Sequence, residues 1–122
     1  MAPTRLRALR ITAIASLVIM LSALFIGVHQ PSAGKLFVEP WDKLAHIIFY
    51  SALTVFTAIG FPKMRLLLLA IVILLIGVTD EAHQIFVPGR HPGFDDLAAD
   101  GIGCAAVLFL LKHLRKKYNF PF

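Results

Sequence analysis

Three short stretches of this 122-residue chain carry the side chains able to do chemistry. Asp42, His46 and Tyr50 recur every four residues, which aligns them on one helical face, each about 6 Å further along than the last. Asp80 and Gln84 repeat that spacing, with Glu81 and His83 to either side, and Asp96 and Asp100 repeat it again. Carboxylates beside a histidine offer oxygen and nitrogen ligands to a divalent metal; His46, Glu81, Asp96 and Asp100 form the candidate set, with Asp80 as a further donor. His46, Glu81 and Asp100 are also the candidates for general acid or base work. Arg90, in the turn Pro88-Gly89-Arg90, is the cation placed to pair with these acids or to grip a phosphate or carboxylate bidentately. The candidate ligand-binding residues are therefore Asp42, His46, Tyr50, Asp80, Glu81, Gln84, Arg90, Asp96 and Asp100. Plainer roles compete: Asp42, Asp95 and Asp96 suit helix N-terminal caps, and His46 and Tyr50 suit satisfied hydrogen-bonding positions in a core.

The elements that must position these groups follow from hydropathy. Hydrophobic residues make up 58% of the chain and charged ones 16%, too apolar for one small soluble core to hide. The net charge of +5 suits a membrane surface better than a nucleic acid, given the long apolar runs between the charges. A hydrocarbon core about 30 Å thick takes roughly 20 helical residues to cross. Four such spans are expected at about 11–28, 43–61, 66–87 and 95–112, followed by a basic tail at 112–122. Short connections at 62–65 and 88–94 make neighbouring helices antiparallel. The expected fold is an all-α integral membrane protein, a compact antiparallel four-helix bundle forming a single domain over residues 1–122.

Arg5, Arg7 and Arg10 ahead of 18 uncharged residues also have the look of a secretory signal peptide, but that stretch exceeds the usual signal core, so a retained helix is expected. Nine basic residues flank one side of the four spans (Arg5, Arg7, Arg10, Lys63, Arg65, Lys112, Arg115, Lys116, Lys117), against Lys35, Lys43 and Arg90 on the other. Basic flanks face the cytoplasm, which puts both termini there. Every acid lies toward the opposite end. Ionisable groups within a span cost about 2.5–3.5 kcal/mol each at the bilayer centre and usually face a bundle interior or a wet cavity. The lone Cys104, between Gly103 and Ala105, excludes an intramolecular disulfide and reads as helix packing. Asp80-Glu81-Ala82-His83 spells a helicase box without the P-loop that would hold a nucleotide, so it carries no such meaning.

In order, Asp42-Lys43-x-x-His46, Glu81-x-x-Gln84, Pro88-Gly89-Arg90 and Asp96-x-x-x-Asp100-x-x-Gly103 resemble the VanZ-like family of small bacterial membrane proteins, over about Asp42 to Leu111. Asp100 departs from the family pattern, which more often has Asn there. The resemblance implies a multi-pass protein of the bacterial plasma membrane connected to the cell envelope. For the family's founding member, the teicoplanin-resistance protein, it implies lowered susceptibility to a glycopeptide antibiotic. It supplies no reaction.

The leading expectation is a protein that binds an anionic lipid, a lipid-linked envelope precursor or an amphiphilic glycopeptide in the outer half of the membrane. Arg90 would engage the anionic group, with His46, Glu81 and Asp100 around it. The alternatives are a membrane-embedded hydrolase or transferase acting on an envelope lipid, with or without a divalent metal, and a component of a proton-coupled transporter. Membrane lipids are the expected partners; nucleic acid is not.

Overall fold

The computed structural model describes residues 2–26, 41–86 and 93–118. They form four helices: α1 (Pro3–Phe25), α2 (Trp41–Gly60), α3 (Leu66–Gln84) and α4 (Phe94–Tyr118), each long and apolar enough to cross a membrane. Two expected boundaries move outward. α1 starts eight residues before position 11, because Pro3 suits the first helical turn and Arg5, Leu6, Arg7, Ala8 and Arg10 are good helix formers, although the three arginines interrupt the hydropathy signal. The expected basic tail is also corrected. Residues 112–118 continue α4, where Arg115, Lys116 and Lys117 oppose the negative end of the helix dipole.

The link from α2 to α3 is a tight turn. Phe61 donates to the Thr57 carbonyl at 2.9 Å and Met64 to the Phe61 carbonyl at 3.0 Å, with Pro62 between them at a position its fixed φ favours. α4 packs most extensively on α2 and next on α3, whereas α2 and α3 touch little; α1 lies mainly against α2. Because α2 and α4 are both antiparallel to α3, they run in the same direction, and their first turns lie side by side.

The core is aliphatic: Leu17, Leu53, Leu69, Ile73, Val107 and Leu111 surround Tyr50 and Cys104. The outside is apolar as well, with Leu67 74% and Phe109 78% exposed, as expected of helices whose outer faces meet lipid rather than water. Two ends differ in character. At one, Arg10 and Lys63 line an open groove with Phe61, Pro62, Met64 and Leu68, and Arg115 donates to the Met64 carbonyl at 3.2 Å. The start of α1 and the end of α4 both belong to this basic end. The acids gather at the other, whose outer surface carries the exposed rings of Trp41, Phe86 and Phe94.

Candidate polar site at the acidic end of the bundle

Two glycines let the polar helices close on one another. A Cβ on Gly103 would stand 2.5 Å from the Ile47 carbonyl oxygen and 3.1 Å from the Ser51 backbone nitrogen, so only glycine allows α4 to press against the α2 backbone here. Ser51 Oγ donates to the Gly103 carbonyl across the same contact at 3.2 Å. On α3, a Cβ at Gly77 would stand 3.2 Å from Asp100 Oδ2 and 3.4 Å from Leu97 Cδ1, which makes room for the Asp100 carboxylate.

The side chains then stack in three tiers. In the innermost, Gln84 Nε2 donates to Asp80 Oδ2 at 3.1 Å and the Tyr50 hydroxyl approaches the same oxygen at 3.5 Å; all three residues are buried. In the middle tier, His46 Nδ1 and Asp100 Oδ1 are 2.6 Å apart, and Asp100 is only 1% exposed. The His46 ring lies parallel to that of Tyr50, with centroids 6.3 Å apart, as their spacing of four on one helix requires. Glu81 joins this tier, with Oε2 accepting the Gly93 backbone N–H at 3.2 Å. In the outermost tier, Lys43 Nζ meets three carboxylates: Asp42 at 2.7 Å, Asp95 at 3.1 Å and Asp96 at 2.5 Å.

The middle tier holds two buried oxygens left over, and Asp42 Oδ1 in the outermost tier is a third. Glu81 Oε1 and Asp100 Oδ2 are buried without a hydrogen-bond partner among the described residues, although such acceptors are costly to leave unmet. One ligand atom each from His46, Glu81 and Asp100 lies within 4.8 Å of the others, a spacing within reach of a metal ion.

Most of the residues picked out by sequence thus converge, but not as one set. His46, Glu81 and Asp100 meet; Tyr50, Asp80 and Gln84 form a separate group beside them. Asp42 and Asp96 are drawn to Lys43, so Asp96 stands apart from the candidate metal ligands. Asp95 and Asp96 are not the cap of α4, because the helix already begins at Phe94 and both sit in its first turn. His83 turns away from the cluster and meets the Phe25 ring edge-on, with centroids 5.9 Å apart. Arg90, with Glu39, Lys35 and His91, lies outside the described residues. The expectation of Arg90 as the only cation close to the acids is corrected, since Lys43 reaches three of them. The signal for this role was available: Lys43 and Asp96 each lie in the first turn of a helix running the same way. Gly77 and Ser51 were also missed; Gly77 falls on the Asp80, Glu81 and Gln84 stripe at helical spacing.

Comparison with curated proteins and with solved structures finds no match. The VanZ/LLP1 family model matches residues 10–115, which include α2 and α3 entire, most of α1 and α4, and all three polar tiers. The chain is a multi-pass membrane protein and belongs to the VanZ/LLP1 family.

Proposed function

We propose that this protein binds the polar headgroup of an envelope amphiphile at the acidic end of the bundle, in the outer half of a bacterial plasma membrane. The ligand class is an anionic lipid, a lipid-linked envelope precursor or a glycopeptide of the teicoplanin type, and binding of the last would contribute to resistance. Nine basic residues at the opposite end argue for a cytoplasmic location of both termini.

The observation that carries this reading is the pair of unpartnered acceptors, Glu81 Oε1 and Asp100 Oδ2, beside His46. Buried oxygens left unmet by the described residues are costly, and a polar group of a bound headgroup would satisfy them. Lys43 is already engaged by three carboxylates. An anionic headgroup therefore needs further positive charge, for which Arg90 is the residue in the sequence. Sugar or peptide portions of a headgroup would supply N–H and O–H donors directly.

The test is binding by the purified chain in nanodiscs of phosphatidylcholine doped with phosphatidylglycerol, and separately by titration with teicoplanin. Glu81→Gln and Arg90→Ala should each weaken binding of at least one probe by about tenfold, the effect of losing one charged hydrogen bond. Binding equal to wild type in both folded variants, for every probe, would sink the proposal.

A second reading is supported by the short His46–Asp100 contact, because a carboxylate that orients a histidine is the usual support for a general base. On this reading the protein hydrolyses or transfers a group on an envelope lipid. Product formation from such lipids that is lost in His46→Ala would establish it, and no turnover by wild type would remove it. Transport has less support: among the described residues, the core beyond Tyr50 is Leu53, Leu69, Ile73, Cys104, Val107 and Leu111, with no carboxylate or imidazole to continue a proton path.

A further inference from the structure

We infer that His46, Glu81 and Asp100 form a binding site for one divalent transition-metal ion of the zinc class. Three helices contribute one ligand each, two of them carboxylates whose combined charge matches that of the ion. One nitrogen and two oxygens are an ordinary donor set for zinc, which leaves a position open for water or an incoming ligand.

An acidic cluster alone would not carry this. The independent observation is the fate of the oxygens. Asp100 is 1% exposed, and its Oδ1 is occupied by His46 while Oδ2 has no partner. Glu81 repeats the pattern, with Oε2 holding the Gly93 N–H and Oε1 unmet. The 2.6 Å His46 Nδ1–Asp100 Oδ1 contact is one that an ion ligated through Nδ1 would replace, and each carboxylate still has an oxygen with no partner among the described residues. Asp100 Oδ2 is directed at α3, 3.2 Å from where a Gly77 Cβ would be, and Gly77 is one helical turn from Glu81 on the same face. Asp100 Oδ2 therefore faces the seam between α3 and α4 that Glu81 also borders, and one donor atom of His46 lies within 4.8 Å of one from each carboxylate.

The distances suit an ion after modest adjustment. Ligand atoms around tetrahedral zinc, at bonds of about 2.0–2.1 Å, are roughly 3.3 Å apart. The three donors already lie within 4.8 Å of one another, so the widest separation closes by about 1.5 Å. Glu81 is only partly buried and has three rotatable bonds, enough to supply that movement. The ion also accounts for how an acidic pocket could accept an anionic headgroup, through the open coordination position. Only that last step rests on the function proposed above.

The experiment uses the full chain in phosphatidylcholine nanodiscs, stripped with chelator and dialysed against Zn²⁺, with bound metal read by elemental analysis and Co²⁺ as a visible-absorption probe. One ion per chain is expected, with tetrahedral Co²⁺ bands. His46→Ala and Glu81→Gln should each weaken binding by more than tenfold, and His113→Ala, at an exposed position near the other end of α4, should leave it unchanged. Asp100→Asn serves where it folds, by circular dichroism; Glu81→Gln, at a half-buried position, carries the test where it does not. Wild type binding no more metal than His46→Ala and Glu81→Gln would overturn the inference. Phosphatidylglycerol binding that persists undiminished in chelator, with one ion bound per chain once Zn²⁺ is restored, keeps both the site and the headgroup reading and overturns only the ion's part in holding the headgroup. An ion bound without any headgroup binding confirms the site and removes that reading instead.

Discussion

The close approach of α4 to α2 can be tested with a pair of glycines two residues apart. Gly101→Ala and Gly103→Ala gain the same intrinsic helix preference, about 0.5–1 kcal/mol. Their surroundings differ. A Cβ at position 101 meets only Leu74 Cδ2, at 3.9 Å, an ordinary contact. At position 103 it meets the Ile47 carbonyl oxygen at 2.5 Å, and reaching the 3.4 Å lower limit of ordinary contact needs a displacement of 0.9 Å, the difference between the two. Neither partner is a flexible side-chain tip, so the helices themselves must part. Overpacking of this kind costs about 1–3 kcal/mol, and stretching the Ser51–Gly103 hydrogen bond adds about 1 kcal/mol. The propensity gain cancels between the two variants, so Gly103→Ala should be less stable than Gly101→Ala by about 2–4 kcal/mol. Reversible denaturant unfolding in mixed micelles measures that difference. The same displacement acts three residues from Asp100 and one from His46, so the ring-nitrogen NMR signal of His46 should change in Gly103→Ala and not in Gly101→Ala. Equal stability and an unchanged His46 signal in both variants would refute the packing of these two helices described here.

Further predictions follow from the other tiers. Lys43→Ala leaves buried Asp96 without its cation and should destabilise the protein by about 1–3 kcal/mol in the same unfolding assay, whereas Asp95→Ala, at a largely exposed carboxylate, should leave unfolding unchanged. Tyr50→Phe removes a long hydrogen bond to Asp80 and should cost about 0.5–1.5 kcal/mol, while Tyr50→Ala empties a core position and should cost about 3–5 kcal/mol. Zn²⁺ held at one hundred times its dissociation constant should stabilise wild type by about 2.7 kcal/mol, and Glu81→Gln by much less. Reporter fusions at residue 1 and residue 122 should both report the cytoplasm; one periplasmic signal would overturn the proposed orientation.

The four spans were legible because each apolar run is long and ends at charge or proline, as at Phe61-Pro62. Their ends were less so. Arg5, Arg7 and Arg10 interrupt hydropathy without interrupting a helix, so α1 extends past the point where its apolar signal begins. The stripes at spacing four placed His46, Tyr50, Asp80, Gln84, Asp96 and Asp100 on inward faces, a local property of each helix. Which stripe meets which depends on how α2 and α4 are arranged across α3, and that is not local. Lys43 and Asp96 are 53 residues apart, and nothing in their immediate surroundings names the other as partner. Gly77 and Gly103 were similarly ambiguous, because an isolated helical glycine signals a close approach without saying what approaches.

The three exposed rings at the acidic end fix a scale for the site. Trp41 precedes His46 by five residues, Phe94 precedes Asp100 by six, and Phe86 follows Glu81 by five, so each metal-tier group lies about 7–9 Å of helix from an aromatic side chain. Aromatic side chains of this kind prefer the headgroup level of a bilayer, and with three rungs of nearly equal length the floor of the site lies parallel to that level. On the proposed reading, a ligand would send a polar group down past the glycerol region while its chains stay level with α2 and α3. Trp41 is the only tryptophan in the chain and stands at the rim, so its emission is a built-in gauge. Lipids brominated at known depths would place the rim, and a ligand crossing it would register there before it reached His46.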